Sequence, residues 1–136
     1  MRQKHILLVD DEDDIREVAG LSLGAVGDWR VSSACSGGEG IEKAIAEQPD
    51  AILLDVMMPG IDGPTTLGRL QADPATREIP VIMLTAKTQG AEVRHFEELG
   101  VAGVLTKPFD PMTLPKQVAD VLAGVAGGST RVGGVE

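Results

Sequence analysis

Five short apolar runs alternate along the chain with stretches of helical apolar spacing, and this alternation limits the possible folds most strongly. Short runs of β-branched and aliphatic residues are typical of strands that are buried on both faces of a parallel sheet. Strands and helices that alternate in this way form an α/β sandwich with right-handed crossovers. The predicted strands cover residues 5–10, 30–34, 51–55, 80–84 and 101–105.

The stretches between the runs contain start signals and apolar stripes for five helices. Ser36 and Glu39 have the spacing of a capping box, which predicts where the second helix begins. Pro64 and Pro111 lie near the predicted starts of the third and fifth helices. The residues predicted to line the buried faces of the first, second, fourth and fifth helices are Ile15, Val18, Ala19, Ser22 and Val26; Ile41, Ala44 and Ile45; Val93, Phe96 and Leu99; and Leu114, Val118, Val121, Leu122 and Val125.

Length and charge limit the classes of protein that fit. The length of 136 residues and a hydrophobic content of 43% suit one globular domain. The formal net charge of -9 argues against direct binding to nucleic acid or to an anionic membrane surface, because both require basic patches. No apolar run has the length of a transmembrane helix, and the first residues lack the apolar segment of a signal peptide, so we expect a cytoplasmic protein.

Two further features concern cysteine and the end of the chain. Cys35 is the single cysteine, so no disulfide framework or thiolate metal site is expected, and its side chain is predicted to be a small buried hydrophobe. Residues 124–136 are rich in glycine and contain no aromatic residue. We therefore predict one domain over residues 1–123 and a flexible tail over residues 124–136.

Acidic residues close two of the predicted strands. Asp10 and Asp11 end the first run, and Asp55 ends the third. In an open parallel sheet the ligand crevice lies at the carboxyl ends of the strands, where the strand order reverses. Three carboxylates at one edge repel one another unless a cation joins them, and hard divalent cations prefer oxygen ligands. The pattern therefore predicts a divalent metal site at this edge.

The other polar residues near the strand ends fall into two groups. Glu12, Asp13 and Asp14 lie at the predicted start of the first helix, where the helix dipole favours negative charge, so we expect them to be structural or solvated. Thr85 comes directly after the fourth apolar run, and Lys107 follows Val104-Leu105-Thr106 at the end of the fifth. Their hydroxyl and ammonium are therefore expected at the same sheet edge as the acids.

Together these motifs resemble the receiver domain of two-component response regulators, and the likeness runs from about His5 to Leu122. The resemblance implies a flavodoxin-like, doubly wound sheet of five parallel strands in the order 2-1-3-4-5, with five helices. The segments that carry it are Val9-Asp10-Asp11, Leu54-Asp55-Val56-Met57-Met58-Pro59 with Asp62-Gly63, Leu84-Thr85-Ala86 and Lys107-Pro108-Phe109.

The resemblance also implies a role for each acidic residue of the edge. Asp55 is expected to be the phosphoacceptor. Asp11, Asp55 and the backbone carbonyl of Met57 are expected to ligate Mg²⁺, with Asp10 helping through a bound water. Mg²⁺ takes six oxygen ligands and usually keeps some of its waters, so this is a suitable share for the protein.

The hydroxyl and the ammonium have implied roles as well. Thr85 and Lys107 are expected to contact the phosphoryl oxygens, and the Lys107-Pro108 peptide is expected to be cis. The phosphoryl group would draw the Thr85 hydroxyl inward and shift the loop before the fourth helix. Val104 occupies a position where the family usually has an aromatic residue, which argues against an aromatic rotamer switch coupled to Thr85.

The implied function is that of a single-domain response regulator. Such a protein takes a phosphoryl group from a sensor histidine kinase or a histidine phosphotransfer protein and then binds a downstream protein partner. It is not an ordinary enzyme, because it catalyses only its own phosphorylation and dephosphorylation. We expect a monomer or a weak dimer.

Three alternatives stay open from the residues alone. Asp11-Glu12-Asp13 has the Asp-x-Asp arrangement of haloacid dehalogenase-like phosphohydrolases, with Asp11 as the nucleophile, although Ile15 replaces the expected Thr or Val. A pseudo-receiver would keep the fold as an interaction domain and lose the chemistry. The third alternative is a receiver that is part of a longer regulator, with a linker that starts in the glycine-rich tail.

Overall fold

Five parallel strands form one sheet in the computed structural model, which describes residues 4–86 and 90–126. In chain order they are β1 (His5–Val9), β2 (Arg30–Ala34), β3 (Ala51–Asp55), β4 (Val81–Thr85) and β5 (Gly103–Thr106). Their order in the sheet is β2-β1-β3-β4-β5, which confirms the predicted flavodoxin-like topology. The three central strands are buried along their whole length, in agreement with their almost uninterrupted apolar sequence, whereas the two edge strands are partly exposed.

Helices cover both faces of the sheet. They are α1 (Asp13–Leu21), α2 (Gly37–Glu47), α3 (Gly63–Ala72), α4 (Gly90–Glu98) and α5 (Leu114–Ala126). Ala44 of α2, Leu67 of α3 and Phe96 of α4 belong to one apolar cluster, whereas Ala19 of α1 and Val118 of α5 belong to a second. The sheet separates the two clusters, because alternate residues of each strand point to opposite faces. Within the described residues, no helix is long and apolar enough to cross a membrane.

The starts of α2 and α3 agree with the predicted start signals, and a side chain caps each helix. Ser36 Oγ accepts a hydrogen bond from the N–H of Glu39 at 3.1 Å, and Asp62 Oδ1 accepts one from the N–H of Thr65 at 2.9 Å. Pro64 lies in the first turn of α3, as predicted. These side chains satisfy N–H groups that the first turn of a helix leaves unpaired.

The predicted apolar stripes of the first two helices are partly wrong. A π-helical turn (Ser22–Val26) follows α1, and its wider hydrogen-bond spacing changes which residues face the sheet. Leu23 is buried in place of Val26, which is 49% exposed. Val18 and Ile45 lie at the margins of their stripes and are each 41% exposed.

The fifth helix begins later than predicted. The carbonyl of Asp110 accepts hydrogen bonds from the N–H groups of Thr113 and Leu114 at 3.0 and 2.9 Å, so a separate turn precedes the helix. Regular helix therefore starts at Leu114 rather than at Pro111.

The predictions for Cys35 and for the end of the chain also differ from the structure. Cys35 is exposed, so the prediction that it is buried is wrong; it comes directly after the edge strand β2, where the sheet no longer covers it. The helix α5 continues through Ala126, into the predicted tail, and residues 127–136 lie outside the described residues. The side chains of Val93 and Val125 also lie outside the part that the structure describes.

Gly63 closes the loop between β3 and α3 onto the end of β3. Its N–H donates to the carbonyl of Val56 at 3.0 Å. A Cβ atom at position 63 would lie 2.5 Å from the carbonyl oxygen of Asp55 and 2.7 Å from the Cα of Val56. Both are backbone atoms next to the candidate phosphoacceptor, so the path of this loop depends on the absence of a side chain at Gly63.

Replacement of Gly63 by alanine is expected to destabilise the fold by about 1–3 kcal/mol, because the added methyl group overpacks the backbone of the loop. Gly68→Ala is the matched control: Gly68 lies in the same helix, and a Cβ there meets no atom within 4 Å. The control should gain up to about 1 kcal/mol from the better helix propensity of alanine. Urea unfolding of the two variants measures both effects, and a Gly63→Ala variant as stable as the wild type would contradict the expectation.

Candidate functional site

Asp10 and Asp55 lie at the carboxyl ends of two neighbouring strands, at the point where the strand order reverses. β1 and β3 pair in parallel with Val9 opposite Leu54, so the residues that follow them come to the same edge of the sheet. One carboxylate oxygen from each of Asp10, Asp11 and Asp55 lies within 4.8 Å of the other two. The structure thus brings together the three acids that the sequence analysis assigned to this edge.

The two inner acids differ from the third in their exposure to water. Asp10 and Asp55 are buried, whereas Asp11 is open to solvent. Burial raises the pKa of Asp10 above its ordinary value, although the N–H of Glu12 and the ammonium of Lys107 oppose the shift. Burial, and next the negative charge of Asp10, raise the pKa of Asp55. The ionised forms of both acids are therefore less favourable here than in water.

One buried oxygen of Asp55 indicates what the site can bind. Oδ2 of Asp55 accepts no hydrogen bond from residues 4–86 or 90–126, whereas Oδ2 of Asp10 lies 3.1 Å from the ammonium of Lys107. A buried carboxylate oxygen without a hydrogen bond is costly, and a divalent cation would use such an oxygen as a ligand. The cluster offers only anionic oxygen donors, which fits Mg²⁺.

Met57 lies beside the acids through its backbone. Its N–H points to Oδ1 of Asp55 at 3.4 Å, while its side chain is 69% exposed. The role implied for Met57 concerns its carbonyl group, so the exposed side chain does not conflict with it.

Lys107 reaches the acids from the end of β5. Its Nζ lies 3.1 Å from Oδ2 of Asp10, 3.1 Å from Oδ1 of Asp55 and 3.1 Å from Oε1 of Glu12. Burial alone would lower the pKa of Lys107, but hydrogen bonds with Asp10 and Asp55 raise it above its ordinary value. The side chain is therefore an ammonium. The Lys107–Pro108 peptide is cis, as the resemblance implies.

Thr85 occupies the same edge one strand further along. It is the last residue of β4 and is buried. Asp55 pairs with Leu84 in the register of β3 and β4, so Thr85 follows the residue next to Asp55. The carbonyl of Thr85 accepts a hydrogen bond from the N–H of Lys107 at 2.8 Å. This bond ties the end of β4 to the residue that reaches the acids.

Glu12 is a residue of this site that the sequence analysis set aside as structural or solvated. The structure brings its carboxylate to Lys107, although the side chain is 60% exposed. Asp13 pairs instead with Arg16, and Asp14 is exposed. The sequence pattern does not distinguish Glu12 from these two acids, because the partner of Glu12, Lys107, lies 95 residues further along the chain.

Comparison with known proteins agrees with this geometry. The family model described as the response regulator receiver domain matches residues 6–119. The chain is 40% identical over 134 residues to the transcriptional regulatory protein CseB of Streptomyces coelicolor, which covers 97% of this chain and 56% of the relative. It is also 40% identical over 95 residues to protein PilH of Pseudomonas aeruginosa, which covers 70% of this chain and 78% of the relative.

A solved structure shows the same fold. The chemotaxis protein CheY4 of Vibrio cholerae matches with a TM-score of 0.82 at 31% identity, over 88% of this chain and 99% of that chain. The chain spans about half the length of several curated relatives that it matches. These similarities do not favour the phosphohydrolase or the pseudo-receiver. In addition, Asp13, which the phosphohydrolase would need as its acid/base, pairs with Arg16.

The buried acids predict a stability difference that can be measured without a ligand. Because the pKa of Asp55 is raised in the folded state, its contribution to stability is present below the ordinary pKa of aspartate and is lost as the pH rises through the folded value. Asp55→Asn is therefore expected to stabilise the protein at neutral pH in EDTA by about 1 kcal/mol, or roughly 3–5 °C in Tm. Thermal unfolding at neutral and acidic pH should show that this gain shrinks in acid.

Asp62→Asn is the matched control for this measurement. Asp62 lies in the loop after β3 but is exposed, and the hydrogen bond from the N–H of Thr65 lowers the pKa of Asp62. The pKa of Asp62 is lowered whereas that of Asp55 is raised, so removal of the charge of Asp62 should not raise the Tm. A wild type that melts at or above the temperature of Asp55→Asn at neutral pH would overturn the interpretation of the buried acids.

Proposed function

The chain belongs to the response regulator receiver family, and we propose that Asp55 is its phosphoacceptor. The donor is a sensor histidine kinase or a histidine phosphotransfer protein, and the transfer depends on Mg²⁺. One observation carries the proposal: Oδ1 of Asp55 lies 3.1 Å from the Lys107 ammonium, while Oδ2 accepts no hydrogen bond from the described residues. One oxygen is thus paired with a cation, and the other is available for a metal ion or a new bond.

The residues that would hold Mg²⁺ are Asp10, Asp11 and Asp55 with the backbone carbonyl of Met57. The carboxylates are close enough to share one ion, and this set leaves room for waters and a phosphoryl oxygen. Asp10 would take part through a bound water. When it is bound, Mg²⁺ offsets the negative charge of the acids and of the phosphoryl group.

Asp55 acts as the nucleophile in the transfer. A carboxylate oxygen of Asp55 forms a bond to phosphorus while the bond between phosphorus and the donor breaks, and an acyl phosphate results. Lys107 stays protonated because hydrogen bonds to the acids raise its pKa, overcoming the effect of burial. Its ammonium then pairs with the phosphoryl oxygens as negative charge develops on them.

The acyl phosphate would change the surface beyond β4. A phosphoryl group adds negative charge and acceptor oxygens, and the hydroxyl of Thr85 would donate to one of them. Movement of Thr85 would shift the loop before α4 and bias a surface that a downstream protein partner recognises. Val104 lies opposite Met83 on the neighbouring strand, so the proposed switch has no aromatic side chain at that position.

The fold is that of a signalling domain rather than that of an ordinary enzyme. We propose that the domain catalyses only its own phosphorylation and dephosphorylation and that it works in the cytoplasm as a monomer or weak dimer. Its net charge of -9 supports protein partners rather than nucleic acid for this domain.

The proposal is tested by the intact mass of the protein after incubation with Mg²⁺ and acetyl phosphate. The wild type is expected to gain one phosphoryl group, because Asp55 is the nucleophile, and to gain none when EDTA removes Mg²⁺. Asp55→Asn should show no gain. Asp62→Asn is the control that changes an exposed carboxylate of the same loop, and it should be phosphorylated like the wild type.

Two results would contradict the proposal. A gain of one phosphoryl group in the Asp55→Asn variant would exclude Asp55 as the acceptor and make Asp11 the next candidate. No gain in the wild type, under conditions in which its unfolding curve shows a folded protein, would favour a pseudo-receiver.

A further inference from the structure

We propose that Glu12 competes with the phosphoryl group for Lys107 and so weakens the hold of the site on a phosphoryl group. The inference rests on the proposed role of Asp55. Glu12 has no part in binding the metal ion or in the transfer itself. It is therefore a positioning residue that acts through Lys107.

The donors of Lys107 are the first reason for this competition. An ammonium has three N–H donors, and the Nζ of Lys107 lies 3.1 Å from one oxygen of each of three carboxylates. These carboxylates belong to Asp10, Glu12 and Asp55. A phosphoryl oxygen that pairs with Lys107 must therefore share the ammonium with these carboxylates or take the place of one of them.

Glu12 is the carboxylate that can leave at the lowest cost. The side chain of Glu12 is 60% exposed, whereas those of Asp10 and Asp55 are 0% and 3% exposed. Water hydrates a released Glu12 directly, but a released Asp10 would be a buried charge without its nearest cation. The contact with Asp55 passes to the phosphoryl group that Asp55 carries, so Glu12 is the exposed carboxylate with which the phosphoryl oxygens compete for the ammonium.

The backbone of Glu12 favours a movement that is confined to the side chain. Its N–H donates to Oδ1 of Asp10 at 2.8 Å, and its carbonyl accepts the N–H of Arg16 at 3.1 Å. Glu12 is the N-cap of α1, yet its carboxylate makes no capping hydrogen bond to that helix. A change of side-chain rotamer is therefore enough to exchange Lys107 for water.

The competition has a modest expected size. An ion pair with a largely exposed partner contributes little to a folded structure, and its loss corresponds to a change of about three-fold in an equilibrium constant. Variants that lack the contact should therefore bind a phosphoryl group about three-fold more tightly. The effect concerns binding at Lys107 rather than the folding of the chain.

The test measures the affinity of the full chain for beryllofluoride in the presence of Mg²⁺, by ¹⁹F NMR titration. Beryllofluoride stands in for a phosphoryl group on a carboxylate. Glu12→Gln removes the charge, whereas Glu12→Asp keeps the charge but shortens the side chain, and aspartate at an N-cap accepts N–H groups of its own helix. Asp14→Asn removes a charge from the same turn of α1, at an exposed residue with no ion pair among the described residues.

The proposal expects both Glu12 variants to bind beryllofluoride about three-fold more tightly than the wild type and Asp14→Asn to be unchanged. Unchanged affinity in Glu12→Gln and Glu12→Asp would overturn the competition and leave the role of Asp55 intact. The competition would also be overturned if the affinity for beryllofluoride rose in Glu12→Gln and Asp14→Asn but not in Glu12→Asp. The loss of negative charge alone would explain that pattern. A wild type that binds no beryllofluoride would remove the proposed function and this inference together.

Discussion

The charge balance around Lys107 is the interaction on which this edge of the sheet depends. Asp10 and Asp55 follow or end strands that are buried along their length, so neither carboxylate can turn to solvent without disturbing the sheet. The ammonium of Lys107 lies 3.1 Å from an oxygen of each and lowers the cost of burying them together. The balance is incomplete, since Oδ2 of Asp55 accepts no hydrogen bond within the described residues. This residual demand supports the proposal that the edge binds a cation and a phosphoryl group.

The sheet topology and the loop after β3 maintain this arrangement at some cost in stability. The reversal of strand order brings together acids that are 45 positions apart in the numbering, and Lys107 arrives from the far edge strand. Gly63 lets the chain pack directly on the backbone of Asp55 and Val56. Burial raises the pKa values of Asp10 and Asp55, so the ionised forms of both acids are expected to lower the stability of the fold at neutral pH. Such a cost is typical of residues that are retained for function.

The sequence predicts those parts of the structure that depend on local pattern. The central strands and the meeting of the acids follow from apolar runs and from the geometry of parallel sheets. The start of α2 follows from the capping signal at Ser36. The predictions are wrong where tertiary contacts, rather than local pattern, determine the structure. The π-helical turn that buries Leu23 has no marker in the hydrophobic period, and the exposure of Cys35 depends on where the edge strand ends. The late start of regular helix in α5 reflects an extra turn at Asp110.

Glu12 shows why part of the site was beyond prediction and what that part contributes. Glu12, Asp13 and Asp14 look alike at the start of a helix in the sequence, and only the approach of Lys107 distinguishes Glu12 from the other two. The acids that contact Lys107 are of two kinds, buried and exposed. Asp10 and Asp55 are buried, so a change in either one affects the fold as well as the proposed chemistry. Glu12 is exposed, and its side chain can exchange Lys107 for water while its backbone stays fixed. If Lys107 holds the phosphoryl group as proposed, substitution at the exposed position adjusts the strength of that contact without rebuilding the buried acids.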